Sequence, residues 1–86
     1  FRRIIATREE LSRELDALGF RVFPSQSNFI LARPPKYSAQ TWLQKLRNRK
    51  ILVRWFSDPS VRDYLRITIG TPAEASALVK AARAIL

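Results

Sequence analysis

The sequence predicts an α+β domain in the order α-β-β-α-β-β-α, with a mostly antiparallel sheet and helices packed on one side. Three observations predict it. Strand-like apolar runs come in sequential pairs, at 20–23 with 28–33 and at 51–56 with 64–69, and strands that follow one another closely pair as antiparallel neighbours. Segments with apolar residues at helical spacing precede, separate and follow these pairs. The chain has 86 residues, 47% of them hydrophobic, which suits one domain with a small core; a chain this short buries only about 60% of its unfolded surface.

The first helix is expected from about Arg2 to Leu18. Ile4, Leu11, Leu15 and Leu18 fall on one side, Glu9 and Arg13 form an i,i+4 pair outside, and Gly19 supplies the stop. Phe20-Arg21-Val22-Phe23 alternates as a short strand that Pro24-Ser25-Gln26 breaks. In the next strand, Asn28 to Arg33, residues Phe29 to Ala32 are apolar on both parities, so it reads as a central strand covered on each side. Pro34-Pro35 ends it. Ser38 is placed to cap a helix through about Arg49, with Trp42, Leu43 and Leu46 as its apolar stripe. Strand-like runs at 51–56 and 64–69 follow, joined by a polar loop at 57–63. The last helix is the most strongly marked: Thr71-Pro72-Ala73-Glu74 is a T-x-x-E capping box with proline at the first helical position. Ala75, Leu78, Val79, Ala82 and Leu86 then recur at helical spacing to about Ile85.

Composition narrows the chemistry. There is no cysteine and no histidine, which removes disulfides, thiolate metal sites, the usual general base and every triad built on imidazole. No apolar run approaches the roughly 18 residues of a membrane-spanning helix, so a cytoplasmic protein with no membrane partner is expected. The chain opens at Phe1 and contains no methionine, which suggests a piece of a longer protein. Its net charge is +9, and no acidic residue lies between Asp16 and Asp58. Such a surface attracts nucleic acid, acidic membrane or phosphorylated small molecules, or is the solvated face of a domain whose acidic counterpart lies elsewhere.

Two arginines interrupt apolar strands. In Leu65-Arg66-Ile67-Thr68-Ile69 the apolar residues share one face, and Arg66, Thr68 and Gly70 share the other. Arg54 interrupts Ile51-Leu52-Val53-Arg54-Trp55-Phe56 in the same way, on a face with Leu52 and Phe56. A guanidinium is costly to bury without an anionic partner, so each either pairs with a carboxylate of its own protein or awaits an anionic ligand. On adjacent antiparallel strands the two can converge on one carboxylate or phosphate, although sequence leaves their register open. Asn28, at a strand entrance, and Tyr64, just before the Arg66 strand, are lesser candidates. Trp55 and Phe56 either wall a pocket or join the core.

The succession Ser27-Asn28-Phe29-Ile30-Leu31, then Ile51-Leu52-Val53-Arg54, then Leu65-Arg66-Ile67-Thr68-Ile69-Gly70-Thr71 and a terminal helix resembles the C-terminal small domain of histidinol-phosphate aminotransferases. These belong to the fold type I enzymes that use pyridoxal 5'-phosphate, and aromatic aminotransferases and phosphothreonine decarboxylases share the pattern. The resemblance implies that residues 1–86 are the small, substrate-binding domain of a homodimeric parent whose large domain binds the cofactor. It further implies transamination between a phosphorylated amine or amino acid and 2-oxoglutarate or glutamate. Arg66 would hold the substrate carboxylate or equivalent anion, and Arg54 would lie near the substrate phosphate. Lys36, Lys45, Lys50 and Lys80 all lie outside a Ser-x-x-Lys setting, so the chain by itself is expected to lack transaminase activity. Two other classes stay open: a basic nucleic-acid-binding module stacking bases on Phe29, Trp55 and Phe56, and a regulatory or assembly domain that binds a small anion through Arg54 and Arg66.

Overall fold

The computed structural model describes residues 2–23 and 28–86. Phe1, the Pro24-Ser25-Gln26 break and Ser27 lie outside the described residues. The elements run α1 (Arg2–Ala17), β1 (Arg21–Phe23), β2 (Phe29–Arg33), α2 (Ala39–Asn48), β3 (Leu65–Thr68) and α3 (Pro72–Ile85). The three strands form one antiparallel sheet in the order β1-β2-β3, and one face of it carries the core. Leu11 and Leu15 of α1, Trp42 and Leu46 of α2, and Leu78, Val79 and Ala82 of α3 pack with Ile30, Ala32, Leu65 and Ile67 of the sheet.

Local chemistry sets the element ends. At the end of α1 the Phe20 N–H donates to Leu15 O and the Gly19 N–H to Asp16 O, both at 3.0 Å, with Gly19 at φ 99°; this is a left-handed terminus that glycine adopts at little cost. The end of α2 repeats the pattern without a glycine. Ile51 N–H reaches Leu46 O at 2.9 Å and Lys50 N–H reaches Arg47 O at 2.9 Å, with Lys50 at φ 63°. A lysine in that region carries a steric penalty of about 1 kcal/mol. Lys50→Gly is therefore expected to raise the unfolding free energy by about 0.5–1 kcal/mol, readable as a higher urea midpoint at unchanged slope; a lower midpoint would refute the strain.

Ser38 caps α2, its side chain accepting the Thr41 N–H at 3.1 Å. The box at α3 is complete: Thr71 Oγ1 accepts the Glu74 N–H at 3.1 Å, and Glu74 Oε1 accepts the Thr71 N–H at 3.0 Å. Hydrogen bonding to the Glu74 carboxyl by Thr71, from its backbone N–H first and its side chain second, holds that carboxyl below its ordinary pKa. A depressed folded value means that its stabilising contribution is full above the ordinary carboxylate range and is lost as pH falls through the folded value. The melting temperature should therefore drop on acidification below about pH 4, and Glu74→Gln should flatten that drop; identical acid profiles would exclude the box as its source.

The fourth predicted strand, 51–56, contributes a single antiparallel bridge, Arg54 to Arg66. Both ends of the run are held elsewhere. The Ile51 N–H is used by the end of α2. At the other end the Trp55 indole N–H donates to Arg62 O at 2.7 Å, and the loop that follows closes on itself through Asp58 and Ser60. The central strand also differs from expectation. Ile30 and Ala32 are buried, but Phe29 and Leu31 on the opposite parity are only half-buried, because all three helices lie on the other side.

Candidate functional site

The helix-free face of the sheet places the arginines. Antiparallel register aligns Phe23 with Leu31, Leu31 with Arg66, and Arg66 with Arg54, and residues directly opposite across strands project from the same face. Arg54 and Arg66 exchange both backbone hydrogen bonds, at 2.9 and 2.8 Å. Their Cα atoms are thus roughly 5.5 Å apart, so two cationic side chains leave neighbouring positions on one face, where an anion can offset their repulsion.

The surroundings of Arg66 are apolar. Its guanidinium carbon lies 4.2 Å from the centre of the Phe29 ring, one register step away on β2, where Phe29 pairs with Thr68. Stacking on a ring face stabilises the cation and fixes its plane while leaving the edge donors free. The Arg66 Nε is buried and has no hydrogen-bond partner among the described residues. Buried donors in native proteins are nearly always satisfied, which makes this one an exception. Arg54, by contrast, is exposed.

The two lesser candidates divide. Tyr64 belongs to the same face: it is half-buried and meets Phe23 edge-on at 5.3 Å between ring centres. Asn28 contributes its backbone, whose carbonyl accepts the Ile69 N–H at 2.7 Å and extends the β2–β3 pairing by one step. Trp55 lines a shallow surface cleft beside Leu43 and Arg47 and stays outside the innermost core. It packs half-buried against the core margin and anchors the 57–63 loop. The Phe29 platform escaped the sequence reading of the Arg66 site, since only the register brings a residue 37 positions earlier under the guanidinium.

None of the four lysines is placed to hold an aldehyde cofactor. Lys36 reaches the carbonyl of Leu86 and the ring of Tyr37, Lys45 covers the same ring at 4.8 Å, and Lys50 and Lys80 are exposed. The described residues do not fit a cofactor site, while the Arg66 and Arg54 positions suit contact with an anion.

A family model for aminotransferase class I and II matches residues 1–82. Over 84 residues the chain is 50% identical to histidinol-phosphate aminotransferase 2 of Rhizobium meliloti (strain 1021), covering 98% of this chain and 24% of that protein. It is 48% identical over 83 residues to the histidinol-phosphate aminotransferase of Aromatoleum aromaticum, covering 96% and 23%. A solved decarboxylase from Sulfurospirillum multivorans matches with a TM-score of 0.71 at 29% identity, over 91% of this chain and 24% of that one. The pyridoxal-5'-phosphate complex of histidinol-phosphate aminotransferase from Sinorhizobium meliloti matches with a TM-score of 0.75 over 98% and 25%; at 18% identity this likeness shows the fold alone. The chain spans about a quarter of the length of the relatives it matches. With the family model covering nearly its whole length, the chain belongs to the class I and II aminotransferases.

Proposed function

We infer that residues 1–86 are the C-terminal, substrate-binding domain of a pyridoxal-phosphate-dependent aminotransferase that moves an amino group between histidinol phosphate and 2-oxoglutarate. The observation that carries this is the pair Arg66 and Arg54, side by side on the open sheet face, with the Arg66 Nε buried and unpartnered over Phe29. Transamination of this kind alternates between a glutamate and a phosphorylated amine, and guanidinium forks accept either carboxylate or phosphate. High identity to two proteins named as histidinol-phosphate aminotransferases supports the substrate.

In this reading the cofactor is held by the three quarters of the enzyme outside this chain. Bound there, it would supply an electron sink for the amino carbon. The residues of this chain bind and orient: Arg66 takes the anion common to both half-reactions, Arg54 adds charge on its phosphate side, and Tyr64 with Phe23 borders the face. The intact enzyme works as a cytoplasmic homodimer. Nucleic acid is a poorer fit for the same surface. Phe29 is already stacked under Arg66, and Trp55 lies on the opposite parity from Phe56, so the three aromatics do not form one platform for bases.

The test is steady-state kinetics of the intact enzyme with histidinol phosphate, phenylalanine and tyrosine as amino donors. Histidinol phosphate should have the highest kcat/KM by at least about tenfold, one charge-assisted contact being worth about 1.5–3 kcal/mol. A higher value for either aromatic amino acid would reassign the substrate. The 86-residue chain alone, lacking a suitably placed lysine, should show no turnover at all.

A further inference from the structure

The helix-free face carries a second pair of arginines. Arg21 on β1 stands directly opposite Arg33 on β2, two positions along each strand from Phe23 and Leu31. Phe23 and Leu31 belong to the row that ends in Arg66 and Arg54, and residues two apart on a strand share a face. Arg33 is therefore the diagonal neighbour of Arg66, roughly 7–8 Å away and within reach of a long side chain. Extending the β2–β3 register by one residue sets Tyr64 beside Arg33.

Both arginines are exposed. The Arg21 guanidinium carbon lies 5.6 Å from the centre of the Phe23 ring, which draws its charge along the strand toward the Arg66 row. None of the strand positions on this face is acidic among the described residues, and no acidic residue lies between Asp16 and Asp58 in the chain. Opposed like charges do not stabilise a sheet; an anion approaching the face offsets their repulsion.

We propose that Arg33 and Arg21 form a capture site for doubly charged anions, the phosphate of the donor and the carboxylates of 2-oxoglutarate, from which the substrate moves one diagonal step to Arg66. The proposal rests on the aminotransferase reading of this face. Exposed arginines hold an anion only weakly, because water competes for both partners, and weak holding suits a site that must pass its ligand on. What such charges supply is encounter: a surface of one sign beside the seat raises the local concentration of the opposite charge and the rate of productive collision. In low salt, a unit charge acting on a dianion at about 8 Å changes that rate by about fourfold. Arg21, farther off, contributes less.

The test is kcat/KM of the intact enzyme for histidinol phosphate and 2-oxoglutarate at about 10 mM and about 0.5 M salt, where the Debye length falls from roughly 30 Å to roughly 4 Å. The double variant Arg21→Gln, Arg33→Gln should lose about five- to tenfold in low salt and less than about twofold in high salt. Lys80→Gln with Arg83→Gln removes the same charge from α3, on the helical side of the sheet, and should lose less than about twofold at both. A loss below about twofold in low salt, an equal loss at both salts, or an equal loss in the α3 variant overturns the capture site. Arg21→Lys with Arg33→Lys should stay within about twofold of wild type, because capture uses charge and not the guanidinium fork. A larger loss would give the pair a structural role and overturn the proposal too. Calorimetric binding of inorganic phosphate by the same proteins separates this failure from that of the enzymatic reading. Wild-type turnover with phosphate affinity and kinetics unchanged in the glutamine variant refutes the capture site alone. Absent wild-type turnover, with phosphate held about five- to tenfold more weakly by that variant in low salt, refutes the enzymatic reading alone.

Discussion

Arg66→Ala in the intact enzyme is expected to lower kcat/KM for the phosphorylated donor and for 2-oxoglutarate alike, by about 10²–10⁴-fold. The size follows from what the side chain offers. Two charge-assisted hydrogen bonds to one anion, made over an apolar bed, contribute about 1.5–3 kcal/mol each, and their loss leaves the anion facing Phe29 and Leu31. Arg66→Lys should recover less than a tenth of the loss, because an ammonium keeps the charge but cannot reproduce a fork stacked on a ring. Phe29→Leu should weaken binding by about twofold to thirtyfold through loss of about 0.5–2 kcal/mol of cation–π attraction. It should act in KM more than in kcat, since the guanidinium is still present but less well held. Arg54→Ala should discriminate between partners, harming the phosphorylated donor more than 2-oxoglutarate. Equal kcat/KM values for wild type and Arg66→Ala with both substrates would remove Arg66 from the site.

Both the parity of β3 and the caps of α2 and α3 were legible in the sequence, because each depends on residues within four positions of one another. Leu65, Ile67 and Ile69 are buried with Arg66 and Thr68 on the far side, as alternation dictates. That the two arginines can converge was legible, but their register was not, since register is a non-local property set by turn geometry and by which face finds a core. The Phe29 platform is invisible for the same reason. The 51–56 run shows the limit of β propensity. Ile, Val, Trp and Phe favour a strand, yet a strand needs a neighbour along its whole length. Here the α2 terminus takes Ile51 while the Trp55–Arg62 bond draws the chain into the loop. The left-handed Lys50 was illegible too, because the helix end carries no glycine to announce it.

The largest stability effect is expected at Trp42, on the helical side of the sheet. Its side chain is fully buried, meets Phe20 edge-on at 5.0 Å and Tyr37 at 6.3 Å between ring centres, and donates from Nε1 to Pro35 O at 2.7 Å. That same carbonyl accepts the Tyr37 N–H at 2.7 Å, closing a three-residue turn whose centre, Lys36, sits at φ 70°. Trp42 thus ties a strained turn to the core from within α2. Trp42→Ala should cost about 3–5 kcal/mol. At roughly 0.05–0.15 kcal/mol per residue, 86 residues have a total of only about 4–13 kcal/mol, so the variant should be partly or wholly unfolded at 25 °C by circular dichroism. Trp42→Phe separates packing from the hydrogen bond. Pro35 O keeps the Tyr37 N–H, so no carbonyl is orphaned, and the cost should be only about 1–2 kcal/mol. Two variants of equal stability would mean that the ring system contributes little, and that the turn is held by its own backbone bond.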